Sequence, residues 1–160
     1  MKKSVLLLFF AGCVATGIFG IGRKIPMNRV NDLGQREGYW RDSVGGGFVY
    51  DLYYKGGKKD GLYKRFYRNK LFLFGEYTAD NISGTWYMFG DEGELRCTID
   101  SIELNKDSIY TGYCRIFCKY KCYCADYYPS GAVKSEGYMV CDEDFMVDFW
   151  EIGEWKYYDE

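Results

Sequence analysis

A short element, Gly-x-aromatic, recurs along this 160-residue chain at a fixed interval, and that interval constrains the fold more than any other feature. It stands at Gly38-Tyr39-Trp40, Gly61-Leu62-Tyr63, Gly84-Thr85-Trp86 and Gly153-Glu154-Trp155. The first three glycines are 23 residues apart, and the last interval, 69 residues, is three times that. Self-similarity at a fixed period marks a repeat architecture, in which each unit buries its apolar face only against its neighbours. The interior of the unit aligns as well. Three residues beyond the key aromatic come Phe66, Phe89 and Tyr158, and apolar-led strands then open at Leu71 and Leu95. A divergent unit fits at Cys124, with Tyr127 three residues on, Gly131 seven on and a strand from Val133. The last unit stops halfway, at Glu160.

Each unit reads as a β-hairpin. Asp60-Gly61, Asp91-Glu92-Gly93 and Pro129-Ser130-Gly131 carry turn chemistry, because Gly supplies the positive φ of tight turns. Leu71, Leu73 and Tyr77 share one strand face, whereas Trp86 and Phe89 are an odd number apart, so either a bulge intervenes or both faces carry aromatics. The expected fold is all-β: repeated antiparallel hairpins of about 23 residues forming an elongated meander sheet over residues 35–160. The composition agrees, with 17 Tyr, 11 Phe, 4 Trp and 20 Gly against two Pro. There is no His, which removes Ser-His and Cys-His catalysis and His-ligated zinc. A net charge of -2 calls for no nucleic-acid-binding face.

Residues 1–22 read as a signal peptide or membrane anchor: Met1-Lys2-Lys3 precedes an uncharged apolar run from Ser4 to Gly22. Three outcomes compete. Phe10-Ala11-Gly12-Cys13 is similar to a lipobox, with Cys13 as the lipidation candidate; the 19-residue run approaches the roughly 20 needed to span a bilayer; and cleavage after Gly17 would release the chain. The expected location is therefore the cell envelope, membrane-tethered, or alternatively secreted or periplasmic. Residues 23–34 read as a linker.

The segments Gly61-Leu62-Tyr63-Lys64-Arg65-Phe66-Tyr67-Arg68-Asn69-Lys70-Leu71, Gly84-Thr85-Trp86-Tyr87-Met88-Phe89 and Gly153-Glu154-Trp155-Lys156-Tyr157-Tyr158 resemble bacterial MORN-repeat variants. The preceding Gly56-Gly57-Lys58-Lys59-Asp60 is similar to the linker that family places before each Gly-x-Trp. The resemblance covers roughly residues 35–98 and 127–160. It implies a β-meander that binds or scaffolds other proteins, some members being antitoxin or immunity partners of secreted toxins, and no shared catalytic residues or cofactor. The departure is the Cys-rich segment from about residue 98 to 126, where Gly-x-Trp is absent.

Beyond Cys13, six cysteines remain: Cys97, Cys114, Cys118, Cys122, Cys124 and Cys141. They are disulfide candidates in an exported chain, with buried free thiols the competing state. Cys114, Cys118, Cys122 and Cys124 have a C-x₃-C-x₃-C-x-C spacing without Gly, a poor match to a zinc knuckle, and no metal is assigned. On one strand these even-numbered positions share a face, so their partners lie on a neighbouring strand. Lys55, Lys58, Lys59, Lys64, Arg65 and Arg68 are candidates for contact with a partner or with anionic lipid, or else guard exposed hairpin edges. The acidic C-terminal stretch lacks an EF-hand loop, and Gly45-Gly46-Gly47 lacks the Lys-Ser/Thr of a phosphate loop. The expected function is a non-enzymatic binding or scaffold protein at the envelope whose partner is another protein, possible toxins included. The alternative is a surface module that holds glycan or anionic lipid through aromatic and Lys-rich strands.

Overall fold

The computed structural model describes residues 26–106, 109–111, 114–116, 118–142 and 149–160, the side chains of 109–111 and 114–116 excepted. Cys13, the segment 1–22 and, from the acidic stretch, Glu143, Asp144 and Asp148 lie outside them. The described residues form twelve strands: β1 Arg29–Val30, β2 Arg36–Gly45, β3 Phe48–Lys55, β4 Lys58–Tyr67, β5 Lys70–Thr78, β6 Asn81–Phe89, β7 Leu95–Leu104, β8 Ile109–Thr111, β9 Cys114–Ile116, β10 Tyr120–Tyr127, β11 Val133–Cys141 and β12 Phe149–Tyr157. Ten of them make one open antiparallel sheet in the order β1-β2-β3-β4-β5-β6-β7-β10-β11-β12, and β8 and β9 pair only with each other. The chain is thus all-β and a meander, as expected. Part of the expected linker belongs to the sheet: β1 pairs with β2, and Met27 bridges to Tyr39.

The turns that close the hairpins are not all where the sequence places them. Gly56-Gly57, Arg68-Asn69 and Ala79-Asp80 all have positive φ, the geometry of two-residue hairpin turns that match strand twist. Asp60-Gly61 instead lies inside β4. There, between the pairs Leu52–Tyr63 and Tyr54–Lys59, β4 carries two more residues than β3. The same break recurs in β6, between Phe74–Tyr87 and Glu76–Ser83, and in β12, between Glu136–Lys156 and Tyr138–Ile152. Gly61, Gly84 and Gly153 sit in these bulges with φ of 129°, 64° and 69°. The repeat glycine therefore makes a bulge, not a turn, and the bulge re-aims the aromatic two residues on. The odd spacing of Trp86 and Phe89 is resolved in the same way, by a register shift between Met88 and Phe89.

The key aromatics line up across the sheet. Trp40 pairs with Leu52, Leu52 with Tyr63, Tyr63 with Gly75, Trp86 with Ile99, Ile99 with Cys124 and Cys124 with Gly137. The register sets Gly75 opposite Trp86 and Gly137 opposite Trp155. A Cβ on Gly75 would fall 2.1 Å from the Trp86 ring and one on Gly137 2.7 Å from that of Trp155, so each indole lies directly on a glycine backbone. Each indole N–H donates to a carbonyl: Trp86 to Ser83 (3.1 Å), Trp155 to Tyr138 (2.9 Å) and Trp40 to Arg29 (3.1 Å). Leu52, Trp86 and Ile99 in this row are no more than 2% exposed. The core continues on the same face through Tyr54, Leu73, Tyr77, Tyr120, Cys122, Met139 and Cys141. A single sheet buries these side chains because it coils over them: the Tyr120 hydroxyl on β10 reaches across β7 and accepts from the Ile82 N–H at 3.4 Å.

The threefold multiple of 23 between Gly84 and Gly153 does not count three units. Within the main sheet two hairpins, β6-β7 and β10-β11, stand between those glycines, and the small β8-β9 hairpin lies outside it. Cys122 occupies the glycine position of the second, 38 residues after Gly84 and 31 before Gly153, exceeding the period by 15 and by 8. The first excess is the excursion carrying β8 and β9, and the second lengthens the β11-β12 connection. Within the divergent segment 98–126 the excursion is flanked by two strands of the main sheet, β7 and β10, which pair with a register shift between Lys121 and Tyr123. Leu104 and Tyr120 pair directly at its base. Replacing residues 105–119 by Asn-Gly is expected to keep the sheet, because a shorter loop costs less entropy to close. The expected change in stability is within about 2 kcal/mol, since among the described side chains of the loop only Cys118 is buried. Circular dichroism and urea unfolding check this.

Candidate functional site

On the core face, where the fourth unit has Cys124 in place of an aromatic, the row leaves a cavity of about 280 Å³. Its lining comes from β6, β7, β10, β11 and β12 and includes Met88, Cys97, Cys124, Asp126, Met139 and Trp155. Cys97 lies on β7 in register with Asp126 on β10, and Cys124 is in register with Ile99, so the two cysteines are diagonal neighbours. Their sulfurs are 3.2 Å apart. Cys97 Sγ, Cys124 Sγ and an Asp126 carboxylate oxygen all lie within 4.8 Å of one another. Ser135, which is buried, donates from Oγ to Asp126 Oδ2 at 3.1 Å and fixes that carboxylate.

A second pair, Cys122 and Cys141, is also diagonal, with sulfurs 3.6 Å apart. Cys97, Cys118, Cys122, Cys124 and Cys141 are all buried free thiols, and the side chain of Cys114 lies outside the described residues. Each pair joins neighbouring strands, β7 with β10 and β10 with β11, whereas Cys114 lies on β9 and Cys118 outside the strands, so the four even-numbered cysteines do not share one strand. Contact with Cys124, followed by burial, pushes the Cys97 thiol far above its ordinary range, and contact with Cys141, followed by burial, does the same for Cys122.

The basic residues do not form one surface. Arg65 pairs with Tyr50 and Leu73 on the core face, its guanidinium 4.6 Å from the Phe48 ring, and Lys59 stands 4.6 Å from the Tyr77 ring. Lys64 is on the opposite face, paired with Asp51 and Phe74. Lys55 and Lys58 flank the Gly56-Gly57 turn, and Arg68 occupies the turn at the other end of β4.

The outer face carries its own row. Arg41, Asp51, Lys64, Phe74, Tyr87, Thr98, Ala125, Glu136 and Lys156 are in register across nine strands. Arg41 Nε meets Asp51 at 3.0 Å and Lys156 meets Glu136 at 3.7 Å. Beside it, Tyr39 packs edge-on against Tyr53 (5.2 Å) and Tyr138 against Tyr123 (5.1 Å). Tyr39, Leu62 and Tyr138 remain 43%, 47% and 48% exposed. Hydrogen bonds from Tyr158 and Tyr123 hold the Glu136 carboxyl below the usual carboxylate range.

Comparison of the chain with protein-family models, with curated proteins and with solved structures finds no match. Among the described residues no helix is long and apolar enough to cross a membrane, which says nothing of a membrane-crossing β-barrel.

Proposed function

We propose that this chain is a non-enzymatic binding protein of the cell envelope, which offers the outer face of its sheet to a protein partner. The observation that carries the reading is the outer row itself. Tyr39 and Tyr138 are half-exposed, yet each is braced by a cross-strand tyrosine, and between them runs a line of charge and aromatic surface. Braced tyrosines give large contact area at low entropy cost, which is why they dominate binding hot spots. The envelope location rests on the apolar run after Lys2-Lys3. The resemblance to MORN-repeat variants sharpens the partner to a secreted toxin that this chain neutralises. Fold likeness alone does not fix function, so the test is direct.

A toxin encoded beside this chain is expected to co-purify with it and to be inhibited by it. Tyr39→Ser with Tyr138→Ser is expected to weaken that complex by about 100-fold, as loss of two hot-spot tyrosines does, with the fold intact. Equal affinity of the double variant would remove the outer face from the interface. Failure of any such toxin to bind the intact chain would remove the neutralising role. The glycan and lipid reading draws less support, because Lys59 and Arg65 lie against core-face rings and Lys64 on the other side. Flotation of residues 23–160 with vesicles of anionic lipid would restore it.

A further inference from the structure

We propose that Cys97, Cys124 and Asp126 are a three-ligand site for a zinc-class divalent cation, with its fourth position open to the adjoining cavity. The site breaks the repeat on which the rest of the molecule is built. The position of Cys124 is held by Trp40, Tyr63, Trp86 and Trp155 in the other units. A core that loses an indole ordinarily refills the volume with apolar side chains. Here the volume stays open, and what enters is a second thiol from the neighbouring strand and a carboxylate held by Ser135. Local departures of this kind, with no gain in packing, are characteristic of functional sites.

The geometry favours a cation over a disulfide. Zinc–thiolate bonds of about 2.3 Å at tetrahedral angles set two sulfurs about 3.8 Å apart. The observed 3.2 Å needs an opening of about half an ångström to reach that. A disulfide needs the sulfurs to close by more than about 1 Å, to 2.05 Å. The diagonal register also opposes it, since such neighbours have Cα atoms about 7–8 Å apart, beyond the usual disulfide span. Thiolate, thiolate and carboxylate are the donor types that zinc accepts, and three protein ligands leave the fourth tetrahedral position to a water or an incoming ligand. Binding forms two metal–sulfur bonds, and the two displaced thiol protons go to solvent.

The test uses the full chain, reduced and freed of metal. Zinc is expected to bind with one equivalent retained after gel filtration, with release of about two protons per ion in weak buffer at pH 7. Cobalt(II) in its place is expected to give a thiolate charge-transfer band. Cys124→Ser is expected to abolish the band and weaken zinc binding at least about 100-fold, and Asp126→Asn to weaken it about tenfold. Cys141→Ser, in the other pair, is expected to keep both. Absence of uptake or of proton release by the unsubstituted chain would overturn the site without any variant. So would loss of the band in Cys141→Ser with retention in folded Cys124→Ser, or a Cys97–Cys124 disulfide as the form that accumulates when zinc and air are both supplied.

Discussion

Gly75→Ala is expected to destabilise the protein by about 3–5 kcal/mol, although it adds a single methyl group. The methyl carbon would lie 2.1 Å from Cδ2 of Trp86, and 2.4 and 2.6 Å from two further ring carbons. The indole cannot step aside, because it is 1% exposed, packs on Tyr63 and Tyr77 at 5.6 and 5.3 Å, and donates to the Ser83 carbonyl. Accommodating the methyl group therefore displaces the whole ring and forfeits much of what its burial contributes. Gly84→Ala provides the contrast. Its φ of +64° makes an L-residue strained, but its Cβ would meet nothing nearer than Glu76 Oε2 at 3.8 Å. That change is expected to cost about 1–2 kcal/mol, the ordinary charge for a left-handed residue. Urea unfolding of the two variants with a shared m-value measures the difference. Equal losses would mean that the indole does not rest on Gly75.

Gly75→Leu alone is expected to leave no folded protein at 25 °C, and Gly75→Leu with Trp86→Tyr is expected to recover the fold. The reason is a volume relation that runs along the central row. Leu52 is followed by Tyr63, Gly75 by Trp86, Ile99 by Cys124 and Gly137 by Trp155. A glycine on the returning strand goes with an indole on the next, and a branched aliphatic goes with something smaller. The double variant copies the Leu52–Tyr63 solution into the neighbouring unit. Trp86→Tyr alone leaves a void over Gly75 and is expected to cost about 2–4 kcal/mol. Residues sharing one cavity couple by up to about 3 kcal/mol, so the double variant is expected to be far more stable than the two losses combined predict. Circular dichroism melts of all three decide it, and a double variant no better than Gly75→Leu would refute the relation.

The 23-residue interval made the hairpins, the meander and the aromatic row legible, because each follows from spacing along the chain. The role of the glycines was not legible in the same way. Gly56-Gly57 and Asp60-Gly61 both satisfy turn chemistry, and only pairing shows that the first turns the chain while the second bulges β4. The interval of 69 residues misled for a physical reason: an excursion of 15 residues and a connection longer by 8 together equal one period. The same excursion hid the Cys97–Cys124–Asp126 cluster. Local spacing points to Cys114, Cys118, Cys122 and Cys124, whereas pairing of β7 with β10 brings Cys97 to Cys124 from 27 residues away. The outer row of charge and tyrosine was missed because its members are set by register across strands, which a one-dimensional pattern does not carry.

The excursion between β7 and β10 also sets the order in which the molecule can assemble. Every other contact between neighbouring strands of the main sheet joins strands consecutive in the chain. Hairpins of that kind close within microseconds and need nothing that has yet to be synthesised. Strands β1 to β7 can therefore pair before residue 105 leaves the ribosome. The joining of β10 to β7 must close the longest loop in the sheet, at an entropic cost about 2 kcal/mol above that of a two-residue turn. In time the protein is two half-sheets, residues 26–104 and 120–160, waiting on one slow seam, and that seam passes through Cys97 and Cys124.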